Sequence, residues 1–164
     1  MRFRLISILA LLVMIVSISC LKDDYQTFTC SASAPKVIVP GSELLEIESY
    51  LSKNNITDAV KSDKGFYYKI VTAGTGVTPT LCSNVTIYYK GSLLNGTVFD
   101  QTGSAAATFP LAQLIAGWQL ALPLIKTGGK IIVYLPPSLG YGNQSAGQIP
   151  AGSSLIFEIS LVAA

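Results

Sequence analysis

The chain has 164 residues, of which 50% are hydrophobic and only 12% are charged. This composition excludes a disordered chain, which combines few apolar residues with high net charge. The formal net charge is +2, and Lys and Arg form no cluster, so nucleic acid is not an expected partner. Histidine is absent, which excludes Ser-His-Asp and Cys-His catalysis and any metal site built on imidazole.

The first 19 residues have the pattern of a secretory signal peptide. Two arginines precede an apolar run over residues 5–16, and small residues lead to Cys20. The run is too short to span a bilayer as a helix, which takes about 20 apolar residues. Residues 17–20 (Ser-Ile-Ser-Cys) resemble the lipobox of bacterial lipoproteins, in which the cysteine is lipidated, although Leu is usual at the position of Ser17. The alternative is a secreted protein in which Cys20 is incidental.

Lipidation of Cys20 would hold the mature chain at a membrane, because two or three acyl chains together give stable attachment. We therefore expect a lipid-anchored protein of the bacterial cell envelope, facing the periplasm or displayed on the outer membrane. Cys30 and Cys82 could form a disulfide in such an oxidising compartment. Two free, buried cysteines are the alternative.

The rest of the N-terminal part divides into two segments. Residues 20–40 are mostly polar and are interpreted as a tether. Residues 41–64 are interpreted as a helical extension, because acidic residues stand near a helix start and apolar residues recur at helical spacing, at Leu44, Ile47 and Leu51. This pattern predicts one amphipathic helix of about three turns that ends near residue 54.

Residues 65–164 are predicted to form a single α+β domain. Strand patterns are found at residues 66–71, 85–89, 130–135 and 154–161, and Asn95-Gly96 is a hairpin turn signal. Alternation places Val85, Ile87 and Tyr89 on one face of their strand and Tyr88 on the other. Pro123 limits the apolar stretch around Trp118 to a short helix. Together these patterns predict about four to six antiparallel strands and one short helix.

Several motifs in this domain together resemble the FKBP-type peptidyl-prolyl cis-trans isomerases. In chain order they are VTIYYKG (85–91), NGTVFD (95–100), IAGW (115–118), PPSLGYG (136–142), IP (149–150) and LIFE (155–158). The resemblance implies an FKBP-like curved antiparallel sheet wrapped around one short helix, with the active pocket between them. It also implies proline-containing polypeptides as clients and macrolides of the FKBP type as ligands.

The chemistry of prolyl isomerisation requires no cofactor and no metal. Rotation about an X-Pro amide faces a barrier of about 18–20 kcal/mol, because resonance holds the bond planar. A dry pocket that binds the twisted amide better than the planar one lowers this barrier without a covalent step. An apolar cavity with a few hydrogen-bond donors is therefore sufficient.

The resemblance also implies roles for individual residues. Trp118 forms the floor of the pocket, and the substrate-binding set is Tyr89, Phe99, Asp100, Leu114, Ile115, Trp118, Tyr141, Ile149 and Phe157. The expected catalytic residues are Asp100, Tyr141 and Tyr89. Asp100 would orient Tyr89 or face the substrate carbonyl carbon, and Tyr141 would donate a hydrogen bond to the carbonyl oxygen before the proline. The Ile115 N–H is a second candidate donor. Glu158 is expected on the outer face of its strand, in solvent.

The sequence departs from the family pattern near Asp100. No Arg follows Asp100 to pair with it, Ala107 stands where a further pocket aromatic is usual, and residues 143–148 lack a frequent His. These departures predict a less enclosed pocket. They leave open a noncatalytic chaperone or binding module that uses the same cleft, and an adaptor with a purely structural role.

Overall fold

The structure, a computed structural model, describes residues 31–164. The predicted signal peptide, Cys20 and Cys30 lie outside these residues. The helices are α1 (Gly41–Lys53) and α2 (Ala116–Ala121). The strands are β1 (Val60–Lys61), β2 (Tyr67–Thr72), β3 (Asn84–Leu93), β4 (Val98–Gln101), β5 (Ala107–Pro110), β6 (Lys130–Leu135) and β7 (Leu155–Ala163).

All seven strands belong to one antiparallel sheet. Their order is β1-β2-β6-β7-β3-β4, and β5 pairs with β3 beside this path. The structure confirms the predicted α+β fold, with more strands than the patterns indicated. The additional strands are short: β1 has two residues and β5 has four, too few for a periodic signal. β1 lies within residues 41–64, the segment predicted as a helical extension.

The alternation predicted for β3 is present. Val85 and Ile87 are fully buried, whereas Tyr88 is exposed on the opposite face. The predicted turn at Asn95-Gly96 also forms: the Gly96 N–H donates to the Leu93 carbonyl at 2.9 Å. Gly96 has φ +88°, a left-handed conformation that glycine adopts without a steric penalty.

Two hydrophobic clusters lie on opposite faces of the sheet. Alternate residues of β6 divide between them: Ile131 and Val133 pack with α2, and Tyr134 packs with α1. The buried face of α1 consists of Leu44, Ile47 and Leu51, the three residues predicted from helical spacing. α1 therefore covers the outer face of its own sheet, and α2 packs on the inner face, where the main core lies. No helix within residues 31–164 is both long and apolar enough to cross a membrane.

The loop between β2 and β3 depends on a glycine. Gly74 has φ +77°, and a Cβ atom there would overlap the Lys126 carbonyl oxygen. We expect Gly74→Ala to lower the free energy of unfolding by about 3 kcal/mol, because both the dihedral and the clash oppose it. Urea unfolding is the measurement. Gly103→Ala is the control, since its Cβ would meet nothing within 4 Å; equal stability of the two variants would contradict this account.

Candidate active site

A pocket of about 530 Å³ opens between α2 and the inner face of the sheet. Its lining contains all nine residues of the predicted substrate-binding set. The full lining is Tyr89, Phe99, Asp100, Phe109, Leu114, Ile115, Trp118, Tyr141, Ala146, Gly147, Gln148, Ile149 and Phe157. Asp100 is the one acidic residue of this lining, which contains no Lys or Arg.

Trp118 lines this pocket and is only 4% exposed. Its ring makes edge-to-face contacts with Tyr89, at 5.2 Å between centroids, and with Phe157, at 5.0 Å. Such contacts are the preferred geometry for aromatic pairs and hold the rings in fixed orientations. The Trp118 Nε1–H is buried without a hydrogen-bond partner among residues 31–164. Trp118 therefore belongs both to the hydrophobic core and to the pocket lining.

Two glycines allow the aromatic groups to approach this closely. A Cβ atom on Gly117 would overlap the Leu135 side chain, so glycine lets α2 lie directly against β6. A Cβ atom on Gly91 would lie 2.6 Å from a Phe99 ring carbon and 2.7 Å from a Phe157 ring carbon. Phe99 and Phe157 can thus pack over β3, where their centroids are 5.6 Å apart.

Asp100 and Tyr89 form a hydrogen bond at the pocket wall. The Tyr89 hydroxyl donates to Asp100 Oδ2 at 2.6 Å, a short distance typical of a charge-assisted bond. The bond joins neighbouring strands, since Gly91 of β3 pairs with Asp100 of β4. Burial, and then the bond to Asp100, raise the pKa of Tyr89 to about 12. Tyr89 is thus a neutral phenol at physiological pH.

This raised pKa predicts a loss of stability in alkaline solution. An unfolded tyrosine titrates near pH 10, so the folded protein holds the Tyr89 proton more tightly between pH 10 and about 12. The contribution of Tyr89 to the free energy of unfolding is therefore fully present below pH 10, and it is lost as the pH rises to about 12. In urea unfolding at stepped pH, we expect a smaller fall for Tyr89→Phe. Burial also raises the pKa of Tyr134 to about 12, so part of the fall should persist. An unchanged pH dependence in Tyr89→Phe would contradict the assignment.

Tyr141 and Ile149 reach the pocket from the segment between β6 and β7. A three-residue 3-10 turn, Pro137–Leu139, begins this segment, and the Pro137 carbonyl accepts hydrogen bonds from the Gly140 and Gly142 N–H groups. Ile149 is fixed by a pair of backbone bonds with Ala146, each 2.9 Å long. Tyr141 remains 42% exposed, as a residue at the rim of an open pocket should be.

Ile115 immediately precedes α2 and has extended dihedral angles, φ −56° and ψ 150°. Backbone N–H groups at the start of a helix lack partners within the helix, so they are available to a ligand. Ile115 therefore brings a backbone donor to the pocket lining near the indole of Trp118.

Sequence reasoning missed four pocket residues: Phe109, Ala146, Gly147 and Gln148. Phe109 lies in β5 opposite Val85, and its ring centroid is 6.4 Å from that of Tyr89. Phe109 supplies an aromatic side chain to the pocket from β5. The same strand carries Ala107, at the position where the family pattern usually has an aromatic residue. The sequence could have indicated this residue, because Phe109 is two positions from Ala107 and therefore lies on the same face of the strand.

The remaining predicted positions lie away from the pocket. Glu158 is on the opposite face of β7, where its carboxylate pairs with Lys90 at 3.1 Å and Lys130 at 3.4 Å. The hydrogen bond from Lys90 lowers the pKa of Glu158. Cys82 is disulfide-bonded. Because Cys30 lies outside the described residues, its pairing with Cys82 stays a prediction.

Comparison with known proteins identifies the family. A family model described as FKBP-type peptidyl-prolyl cis-trans isomerase matches residues 76–162. The chain is 43% identical over 118 residues to the peptidyl-prolyl cis-trans isomerase Mip of Coxiella burnetii, covering 70% of this chain and 51% of that protein. It is 41% identical over 119 residues to the outer membrane protein MIP of Legionella longbeachae, and the match covers 70% of this chain and 51% of that protein. The chain thus spans about half the length of these curated relatives.

A solved structure supports the same assignment. The crystal structure of FkpA from Escherichia coli matches with a TM-score of 0.67 and 34% sequence identity, covering 74% of this chain and 59% of that one. The family model matches more than half of the chain, and the aromatic pocket described above lies within the matched residues. The chain therefore belongs to the FKBP-type peptidyl-prolyl cis-trans isomerase family.

Proposed function

We propose that this protein catalyses cis-trans isomerisation of X-Pro bonds in exported polypeptides. The observation that carries the proposal is the composition of the pocket: aromatic and aliphatic side chains, among them the buried Trp118, and a single carboxylate, Asp100, which accepts a hydrogen bond from Tyr89. The pocket lining contains no Ser, Thr, Cys, Lys or His side chain, and the raised pKa of Tyr89 makes its phenol a weak nucleophile, so the pocket suits a reaction without a covalent intermediate. A proline ring is apolar and fits such a cavity.

In the proposed mechanism, the proline ring lies against Trp118, and the preceding amide twists inside the pocket. The Ile115 N–H and the Tyr141 hydroxyl donate hydrogen bonds to substrate carbonyl oxygens. The Asp100 carboxylate fixes the Tyr89 ring and faces the substrate carbonyl carbon as the amide loses planarity. Contacts made only by the twisted amide lower the barrier, and each gain of about 1.4 kcal/mol gives a tenfold acceleration.

The direct assay is relaxation of the cis form of a peptide containing Ala-Leu-Pro-Phe after a solvent jump. Uncatalysed relaxation takes tens of seconds at 25 °C. We expect the rate to rise in proportion to protein concentration in the micromolar range. A rate equal to the spontaneous one would overturn the proposal and leave the noncatalytic binding module.

Tyr141→Phe tests the proposed hydroxyl donor. Losing one hydrogen bond in the transition state should lower kcat/KM by about three- to tenfold. The thermal midpoint should not change, because the side chain is 42% exposed. Tyr88→Phe is a matched control, since Tyr88 is 41% exposed on the outer face of the sheet. Equal kcat/KM for the two variants would exclude the Tyr141 hydroxyl from the mechanism.

The domain organisation and location are further parts of the proposal. We assign residues 1–19 to a signal peptide, 20–40 to a tether, 41–64 to a helical extension and 65–164 to the isomerase domain. A lipidated Cys20 would anchor the protein in the cell envelope, and a relative named as an outer membrane protein supports this location. Mass spectrometry of the membrane fraction tests the anchor: a freely soluble chain without lipid would exclude it.

The proposed disulfide between Cys30 and Cys82 is supported by the bonded state of Cys82. Peptide mapping with and without reductant tests it. The expected result is a crosslinked pair of peptides that contain these two cysteines. A crosslink between Cys82 and Cys20 would exclude both this pairing and lipidation of the Cys20 thiol.

A further inference from the structure

Helix α1 lies on the sheet face opposite the pocket, yet it hydrogen-bonds to the segment that carries Tyr141 and Ile149. We call residues 139–153 the pocket loop; five of its residues line the pocket, namely Tyr141, Ala146, Gly147, Gln148 and Ile149. Ser138 directly precedes this loop, and Ser154 directly follows it. Each of these serines is hydrogen-bonded to a glutamate of α1.

Glu43 holds the first end of the pocket loop. Its Oε2 accepts the Ser138 N–H at 2.9 Å, and its Oε1 accepts the Ser138 hydroxyl at 2.7 Å. Both carboxylate oxygens of Glu43 thus accept hydrogen bonds from Ser138, which is 95 positions away in the chain. Bonds to an ionised acceptor are stronger than neutral ones, and a two-point contact also fixes orientation. Ser138 is consequently held in both position and direction.

Glu46 holds the second end. Its Oε2 accepts the Ser154 hydroxyl at 2.6 Å, and Ser154 is only 3% exposed. Ser154 stands one residue before β7, the strand that carries Phe157. Glu43 and Glu46 are three positions apart and therefore lie on the same side of α1.

The position of Ser138 is transmitted to Tyr141 through the backbone. The neighbouring Pro137 carbonyl accepts from the Gly140 N–H at 2.9 Å and from the Gly142 N–H at 2.8 Å. These two N–H groups flank Tyr141 in the chain. Because the Tyr141 side chain is 42% exposed, packing constrains its ring only in part, and the backbone of the turn must set its location.

We propose that Glu43 and Glu46 are positioning residues that clamp both ends of the pocket loop and thereby set Tyr141 and Ile149 for substrate. This inference rests on the proposed isomerase function. It is separate from the packing role of α1, which uses Leu44, Ile47 and Leu51.

Glu48 provides a matched control on the same helix. Its Oε1 accepts hydrogen bonds from the Tyr67 hydroxyl at 2.7 Å and from Lys61 at 3.0 Å. These partners lie in β2 and in the edge strand β1, and neither lines the pocket. Glu48→Gln therefore weakens a contact of α1 with the sheet and leaves both ends of the pocket loop intact.

The experiment compares Glu43→Gln/Glu46→Gln with Glu48→Gln in the full chain, by hydrogen exchange read at peptide resolution and by kcat/KM on the proline peptide. For the double variant we expect pocket-loop amides to exchange about tenfold faster, with sheet amides unchanged, and kcat/KM to fall by about tenfold. Glu48→Gln should leave pocket-loop exchange and kcat/KM within about twofold of wild type.

A second variant keeps the test independent of any folding defect in the first. Ser138→Ala removes the hydroxyl from the other side of the Glu43 contact, and Glu43→Gln should have a smaller effect in that background. Unchanged pocket-loop exchange in the double variant, or an equal increase in Glu48→Gln, would overturn the clamp. A wild-type protein without isomerase activity would overturn only the proposed function, because the exchange measurement decides the clamp without catalysis.

Discussion

Asp100→Asn is expected to lower kcat/KM by roughly 10- to 100-fold while the fold persists. The substitution keeps the size of the side chain and removes the negative charge that accepts the Tyr89 hydroxyl at 2.6 Å. A hydrogen bond to a charged group contributes about 1.5–3 kcal/mol, which corresponds to this range of rates. The effect should be larger than that of Tyr141→Phe, because Asp100 both orients Tyr89 and supplies the charge within the pocket.

The control for Asp100→Asn is Glu158→Gln. Asp100 and Glu158 are the two acidic residues between positions 65 and 164, so each variant removes one carboxylate from the same domain. Glu158 lies on the outer face of the sheet with Lys90 and Lys130, and we expect its removal to leave kcat/KM within about twofold. Similar losses in both variants would mean that net charge, and not the pocket carboxylate, determines the rate.

Trp118→Ala is expected to produce the largest loss of stability. It removes a side chain that is 4% exposed and contacts both Tyr89 and Phe157, so it leaves a cavity between sheet and helix. Truncation of a buried Trp costs about 3–5 kcal/mol. For a chain of this size, that loss corresponds to a fall of roughly 6–20 °C in the thermal midpoint.

Trp118→Phe separates the packing role of Trp118 from its proposed role as the floor of the pocket. A phenylalanine keeps an aromatic surface beneath the proline ring and should cost less stability than alanine, because it leaves a smaller cavity. Urea unfolding and the peptide assay are run on both variants. A loss below about 1 kcal/mol for Trp118→Ala would show that the indole is not packed as described.

The sequence predicted the regular elements well where burial imposes a period. The α1 residues Leu44, Ile47 and Leu51 repeat at helical spacing, and β3 alternates because one of its faces is buried. β1 was not predicted, because a two-residue strand forms only by pairing with β2 and has no pattern of its own. Within residues 41–64, the sequence therefore predicted only the helix that ends near residue 54.

The pocket depended more on the family resemblance than on periodicity. Alternation placed Tyr89 on the same face of β3 as Val85 and Ile87, but it does not distinguish a pocket aromatic from a core aromatic. Phe109 was not predicted as a pocket residue, because β5 has only four residues and shows no periodic pattern of its own. The contacts of Glu43 and Glu46 have no local signal, since their partners are 95 and 108 positions away. Only folding of α1 onto the sheet brings these groups together.

The central claim is that the aromatic pocket accelerates rotation about a prolyl bond rather than merely holding a proline-containing chain. Exchange NMR of the Ala-Leu-Pro-Phe peptide with a catalytic amount of protein measures both properties at once. The account predicts cross-peaks between the cis and trans proline signals, on a timescale far below the tens of seconds of the free peptide. Chemical-shift changes that report binding, without any exchange cross-peaks, would contradict it.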